Sequence, residues 1–196
     1  MQTTKKASLI LDDGTVFVGK SFGYEKPVAG EVVFNTAMMG YPESLTDPSY
    51  SGQILVTTYP LIGNYGVPRR EEVNGLSRFY ESEKIHVEAL VVSDYSFEYS
   101  HWNAAKSLAD WLKEEEIVGI YDIDTRELTK RLREHGSMKG KIVIEGGDDI
   151  EFVDPNLTNL VAKVSCKEVI RYGNGDKKVV LVMGLGALCS IPPLVA

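Results

Sequence analysis

A polar segment at residues 46–53, TDPSYSGQ, contains side chains that could bind a ligand. Six of its eight side chains can form hydrogen bonds, and apolar segments flank it on both sides. Asp47 can accept backbone N–H groups and Pro48 fixes its own φ angle, which favours a tight turn. Ser49 and Ser51 would then present hydroxyls just before a strand. These residues allow two interpretations: a turn that satisfies its own backbone, or a surface for a small polar ligand or partner chain.

The cysteines and histidines show no catalytic or metal-binding pattern. Cys166 in KVSCKEV and Cys189 in ALCSI lie in segments unsuited to a tight nucleophile turn, and they form no C-x-x-C pair. We expect each to be a small buried apolar residue. The histidines, His86, His101 and His135, are scattered without metal-ligand spacing, and His86 is expected to be structural on a strand. We predict no catalytic residue, metal ion or cofactor in this chain.

The C-terminal run VVLVMGLGALCSIPPLVA (179–196) has features of a nucleotide-binding motif and of a membrane span, but other residues in the run disfavour each interpretation. A strand followed by Gly184-x-Gly186 resembles the start of a dinucleotide fingerprint, which would favour an independent nucleotide-dependent enzyme. However, Cys189 occupies the position of the third small residue, and Pro192-Pro193 would stop the helix after about one turn. The same charge-free run reaches the minimum length of a membrane span, about 18 residues, but its prolines and glycines disfavour a helix.

The overall composition is that of an ordinary globular protein. The chain has 196 residues, of which 43% are hydrophobic and 25% charged, enough for one domain or one domain plus part of another. Its formal net charge of −7 disfavours a nucleic-acid partner. The apolar run near the N-terminus is too short for a signal peptide, so we predict a cytoplasmic protein without a membrane segment.

Strand signals dominate the first half of the chain. Residues 9–11 and 16–18 are predicted to form a β-hairpin, because Asp13-Gly14 supplies residues that tolerate positive φ. Polar, Gly-rich and Pro-rich composition favours loops at 41–52 and 61–75. Further strands are predicted at 30–36, 53–60, 84–95, 117–124 and 140–144, and two more within 167–182.

Three helices are predicted in the second half. Residues 103–116 place apolar side chains at helical spacing. The next helix, 125–136, should begin at Asp124, with Glu127 completing a capping box, and end at Gly136 in the left-handed conformation. A short helix is predicted at 154–165, with Asp154 as its cap. The mixture indicates an α/β protein without a regular βαβ series.

Three segments together resemble one known family. They are LILDDGTVFVGKSFG (9–23), GEVVFNTAMMGYPESLTDPSYSGQILVTTYPLIGNYGVP (30–68) and GIYDIDTRELTKRLREHGSMKGKI (119–142). Their sequence and order resemble the small chain of glutamine-dependent carbamoyl phosphate synthetase, and the match runs through roughly residues 7–144. The composite motif at 30–66 is far more specific than any short pattern above.

This resemblance implies a fold and a function. The fold would be a β/β/α sandwich of the swivelling type at residues 1–146, a linker with a short helix at 147–177, and the start of a class I glutamine amidotransferase domain at 178–196. The enzyme would be a ligase in which glutamine supplies ammonia to a large chain. There, ammonia, bicarbonate and ATP with magnesium would give carbamoyl phosphate for arginine or pyrimidine synthesis. Ser49 would contact the glutamine.

The final residues depart from the family pattern. After VVLV the family continues into a polar segment and a catalytic domain, whereas this chain continues as MGLGALCSIPPLVA (183–196). We therefore expect a truncated or out-of-frame end, a truncated glutaminase domain, and no glutaminase activity in this chain alone. The alternative is a non-enzymatic binding module that retains only the interaction surface.

Overall fold

The computed structural model describes residues 4–73 and 76–168. The strands in this part of the chain are β1 Lys6–Leu11, β2 Val16–Ser21, β3 Val28–Asn35, β4 Gln53–Thr57, β5 Leu61–Ile62, β6 Val67–Pro68, β7 Glu72–Val73, β8 Leu76–Ser77, β9 Ala89–Val91, β10 Asp94–Tyr95, β11 Ala104–Lys106, β12 Val118–Tyr121 and β13 Met138–Ile144. The α-helices are α1 Tyr41–Thr46, α2 Leu108–Glu114, α3 Thr125–His135 and α4 Leu160–Val164. Single 3₁₀ turns lie at Pro48–Tyr50 and Pro155–Leu157.

Seven strands form a mixed sheet that closes on itself in the order β1-β13-β3-β4-β9-β12-β2. Strands β3, β4, β9 and β12 pair in parallel, whereas β13, β1 and β2 pair with their neighbours antiparallel. Three two-stranded sheets, β5 with β10, β6 with β11 and β7 with β8, lie outside it. The α/β class predicted from the sequence is confirmed, and the sheet has a closed arrangement that the strand signals did not indicate.

The closed sheet separates two apolar clusters. Successive strand residues point to opposite faces, so Ile54 and Val56 of β4 lie in the first cluster while Leu55 lies in the second. Helix α3 contributes Leu128 and Leu132 to the first cluster. The second cluster receives α1 and α2 and contains Tyr41, Leu45, Leu90, Leu108, Trp111 and Leu112, among others.

Several predicted elements agree with the structure. Strands β1 and β2 form the predicted antiparallel hairpin, and Gly14 has a φ of 86° in its turn. Asp124 caps α3, since its carboxylate accepts the Glu127 N–H at 2.9 Å. Gly136 follows α3 with the expected positive φ, but its ψ of −163° is extended rather than left-handed.

Other predicted boundaries are wrong. The helix predicted at 103–116 begins only after Ser107, because Ala104–Lys106 pairs with β6 as an extended strand. The predicted strand at 84–95 is reduced to β9 and β10, which are separate strands. The loop predicted at 61–75 contains short paired strands and buries Val67 completely. In each case tertiary pairing overrides the local pattern.

The segment after β13 is only partly as predicted. Instead of one helix at 154–165, Asp154 caps a 3₁₀ turn and Asn159 caps the separate helix α4. The strands predicted within 167–182, the amidotransferase start at 178–196 and the tail at 183–196 lie outside the described residues.

Candidate functional site

Helix α1, Tyr41–Thr46, leads into the polar segment and lies where the sequence predicted a loop. Gly40 adopts a left-handed conformation with a φ of 84°, and its carbonyl accepts the Ser44 N–H at 2.9 Å. Pro42 stands in the first turn of α1, where its missing N–H costs nothing. Tyr41 and Leu45 are buried in the second cluster, so burial compensates for the polar composition of this six-residue helix.

The residues immediately after α1 form the tight turn that the sequence predicted. Asp47 caps it, because its carboxylate Oδ1 accepts the Ser49 N–H at 2.8 Å. Two backbone bonds follow, from Tyr50 N–H to the Asp47 carbonyl and from Ser51 N–H to the Pro48 carbonyl, each 3.1 Å long. The turn therefore satisfies much of its own backbone, as the simpler interpretation requires.

Only one of the two serines reaches the surface. Ser49 is exposed, whereas Ser51 is buried with 4% of its surface accessible, so the prediction that both hydroxyls project outward is wrong for Ser51. Pro48 on one side of Ser49 is buried and Tyr50 on the other is half-buried. Within residues 4–73 and 76–168 the Ser49 hydroxyl makes no hydrogen bond, which leaves it free to bind an external group.

Asn35, at the end of β3, connects this turn to the sheet and to α1. Its side-chain Oδ1 accepts the Ala37 N–H at 2.7 Å, which orients the amide. The amide nitrogen then donates to the Ser44 hydroxyl at 3.2 Å and to the Tyr50 hydroxyl at 3.3 Å. Burial raises the pKa of Tyr50, so its phenol stays neutral at physiological pH. The sequence reasoning missed this cluster, because its members are 9 and 15 residues apart.

A second polar cluster joins the end of α1 to the segment before β9. The Thr46 carbonyl accepts the Ser82 hydroxyl at 2.6 Å, and the His86 ring nitrogen Nε2 lies 3.0 Å from the same hydroxyl. Burial lowers the pKa of His86, and the nearby Lys84 lowers it further. His86 therefore bonds within the protein, although it is not on a strand as predicted.

The prediction of buried cysteines is wrong for one of the two and lies outside the described residues for the other. Cys166 is exposed, contrary to the prediction of a buried thiol, because it follows α4, which buries none of its residues. Cys189 lies outside the described part of the chain. Across residues 4–73 and 76–168, no three His, Cys, Asp or Glu side chains converge where they could hold a metal ion. None of the helices there has the length and apolar character that a bilayer crossing requires.

The described part of the chain has two surface cavities of note. One of about 150 Å³ is lined by Glu31, Met138 and Pro155, among others, and one of about 430 Å³ lies over the outer face of β1 and β13. Ser49 lines neither. The fold and site together define an α/β domain that presents one exposed hydroxyl on a capped surface turn.

The sequence of this domain matches a family of known proteins. Residues 9–142 match the family model described as carbamoyl-phosphate synthase small chain, CPSase domain. This range includes most of the closed sheet, from within β1 to within β13, together with the Ser49 turn and the Asn35 cluster. The chain therefore belongs to the carbamoyl-phosphate synthase small chain family, as the three sequence segments predicted.

Similar proteins are known from distant organisms. Multifunctional protein pyr1-3 of Dictyostelium discoideum is 56% identical over 86% of this chain and 8% of that protein. The arginine-specific small chain of carbamoyl phosphate synthase from Saccharomyces cerevisiae is 52% identical over 83% of this chain and 40% of that protein. Human mitochondrial carbamoyl-phosphate synthase [ammonia] is 50% identical over 92% of this chain and 12% of that protein.

The chain therefore spans only 8% to 40% of the length of these relatives. Among solved structures, an aminopeptidase from Aneurinibacillus sp. strain AM-1 superposes with a TM-score of 0.35 at 13% identity. It covers 70% of this chain and 30% of that chain, and this likeness carries no argument about function.

Proposed function

We infer that this chain is the N-terminal domain of the small chain of a glutamine-dependent carbamoyl phosphate synthetase. In this role it docks on a large chain that uses ATP and magnesium, and the small chain supplies that partner with ammonia from glutamine. Family membership over residues 9–142 supports the proposal. The single observation that carries the site is the exposed Ser49 hydroxyl, which has no bond within the described residues.

Ser49 suits a contact with glutamine for a chemical reason. A hydroxyl donates one hydrogen bond and accepts others, so it can bind the carboxylate, amino or amide group of an amino acid. One hydroxyl on an open surface cannot select glutamine by itself. We therefore propose that the remaining contacts come from a class I glutamine amidotransferase domain, of which residues 178–196 would be the start.

The finer fold and location belong to the same proposal. The closed sheet, with α1 and α2 packed in the second apolar cluster, supports a swivelling-type β/β/α domain at residues 1–146, followed by the linker at 147–177. A cytoplasmic location is part of the same proposal. One similar relative is named as mitochondrial, so fractionation of the source cells is the direct test.

Replacement of Ser49 by alanine tests the glutamine contact. In the complete synthetase that carries this chain, Ser49→Ala should raise the KM for glutamine about two- to tenfold, the expected loss for one hydrogen bond of about 0.5–1.5 kcal/mol. Synthesis from free ammonia should keep its rate, because the large chain does that chemistry. Steady-state kinetics with each nitrogen source give both numbers.

Ser100→Ala is a suitable control for Ser49→Ala, because Ser100 is also an exposed serine and lies in a different loop. It should leave the KM for glutamine unchanged. An unchanged KM in Ser49→Ala would remove Ser49 from the glutamine site. A parallel loss with free ammonia would mean that the turn supports the fold rather than the substrate.

The alternative is a binding module without its own enzymatic partner. The observations that favour it are that no three potential metal ligands converge within residues 4–73 and 76–168 and that Cys166 is exposed there. We expect the purified chain to retain a large synthetase chain on an affinity resin and to leave its ammonia-dependent activity intact. Failure to associate would favour the binding module. Blocking the affinity tag is the control for non-specific retention.

A further inference from the structure

The turn that carries Ser49 is held at both ends, and the two restraints differ. On the N-terminal side, the Asp47 carboxylate caps the Ser49 N–H, which is a local contact within the turn. On the C-terminal side, the Tyr50 hydroxyl accepts from the Asn35 amide, and Asn35 lies 15 residues earlier in the chain. The second restraint therefore connects the turn to a distant part of the fold.

Hydrogen bonds restrain both the backbone and the side chain of Asn35. Its backbone pairs with Thr57 at the end of the parallel β3–β4 pair, and its carbonyl accepts the Thr58 N–H at 3.0 Å. Its side-chain oxygen accepts the Ala37 N–H, and this bond orients the amide nitrogen toward the hydroxyls of Ser44 and Tyr50. A side chain held at its backbone and at its oxygen can transmit the position of the sheet to the turn.

Tyr50 receives that restraint next to the exposed serine. Its ring packs against the second apolar cluster while its hydroxyl accepts from Asn35. Because Tyr50 directly follows Ser49, movement of the tyrosine ring would move the serine. Active-site groups act best when neighbouring contacts lock them within about 0.5 Å of the productive position.

We propose that Asn35 and Tyr50 are positioning residues that hold the Ser49 hydroxyl where glutamine is bound, an inference that rests on the proposed function. Asn35 fixes the tyrosine, the tyrosine fixes the turn, and neither touches the substrate. Ser44, the other acceptor of Asn35, places α1 by the same amide. One residue at the end of β3 therefore restrains the positions of both the turn and helix α1.

Tyr50→Phe is the test, because it removes one hydroxyl and keeps the buried ring. In the complete synthetase we expect the KM for glutamine to rise about two- to tenfold, the range for one lost hydrogen bond, with ammonia-dependent turnover unchanged. Tyr95→Phe is the matched control. The Tyr95 ring lies in the same cluster and its hydroxyl accepts the Ala109 N–H at 3.1 Å, away from the turn.

The double variant Ser49→Ala/Tyr50→Phe separates positioning from general weakening. If Tyr50 acts through Ser49, its replacement should add nothing to the KM of Ser49→Ala alone. Amide hydrogen exchange on this chain gives a second readout. Tyr50→Phe should speed exchange at the Tyr50 and Ser51 N–H groups about two- to tenfold, and Tyr95→Phe should not.

The outcomes distinguish the two proposals. If Ser49→Ala raises the KM and Tyr50→Phe does not, the positioning inference is overturned and the proposed function stands. If Ser49→Ala itself leaves the KM unchanged, Ser49 is removed from the glutamine site and the positioning inference falls with it, whatever the exchange rates show. If Tyr50→Phe and Tyr95→Phe raise the KM equally, or the double variant shows additive effects, the hydroxyl of Tyr50 contributes only general stability and the inference fails.

Discussion

Leu90→Ala is expected to destabilise this domain by about 2–5 kcal/mol, the usual cost of removing a buried leucine side chain. Leu90 is completely buried. It lies on β9, which pairs in parallel with β4 on one side and β12 on the other, so the sheet around it cannot easily collapse into the space. A loss of this size is a large fraction of the 5–15 kcal/mol typical of a folded domain.

Urea denaturation of the purified chain measures this effect. The urea concentration at the midpoint should fall. The slope of the unfolding free energy against urea concentration should stay the same, because the surface exposed on unfolding is nearly unchanged. Val18→Ala is the control: Val18 is 62% exposed on β2, and its replacement should change stability by less than about 0.5 kcal/mol. A loss below about 1 kcal/mol for Leu90→Ala would mean that the second cluster is loosely packed.

The second cluster also supports the candidate site. Leu90 shares it with Tyr41 and Leu45 of α1, and Tyr50 packs against it. The hydroxyl that we assign to glutamine binding therefore rests on the same apolar contacts that stabilise the sheet. A core substitution such as Leu90→Ala should weaken both, whereas Tyr50→Phe should affect glutamine binding far more than stability.

Local signals in the sequence predicted the parts of the fold that local physics controls. The β1–β2 hairpin depends on Gly14, which adopts the positive φ that its turn requires. Helix α3 depends on the Asp124 cap and on Ile123 and Leu128, which meet in the first cluster as a hydrophobic staple would place them. The turn at Ser49 follows from Asp47 and Pro48 in the same way.

Features that depend on distant residues could not be predicted from such signals. Closure of the sheet requires β1 to pair with both β2 and β13, and β13 lies more than 120 residues further along the chain. Helix α1 looks polar, and it forms because Tyr41 and Leu45 are buried by the rest of the fold. The contacts of Asn35 cross three elements, so no periodicity in the sequence reveals them.

The candidate site also combines features that local sequence predicts with features that depend on distant residues. The exposure of Ser49 and its capped turn follow from residues 46–53, but the role of its hydroxyl came from the resemblance of residues 30–68 to a known family. Burial of Ser51, by contrast, depends on how the turn packs against the fold. The sequence thus indicated where the proposed ligand-binding hydroxyl lies, and the structure shows which contacts hold the turn that carries it.

Glutamate release from glutamine by this chain alone is expected to be undetectable. Amide hydrolysis of this type requires a thiolate activated by a neighbouring base. Cys166, the cysteine that the structure describes, is free and exposed. His86 bonds to Ser82, and His135 lies beside the Arg131 carbonyl. Cys189 lies outside the described residues, and in ALCSI the bulky Ile191 stands two residues after it, where a nucleophile elbow has a small residue.

The expected deficit is large, because loss of a catalytic nucleophile in a hydrolase lowers turnover roughly a millionfold. Incubation of the purified chain with glutamine labelled at the amide nitrogen, with the complete synthetase as positive control, measures it. Cys166→Ser should give the same background as the unaltered chain, because an exposed thiol without a base contributes no catalysis. Ammonia released by the chain and lost in Cys166→Ser would instead make Cys166 a nucleophile, and the domain would then hydrolyse glutamine rather than only contact it.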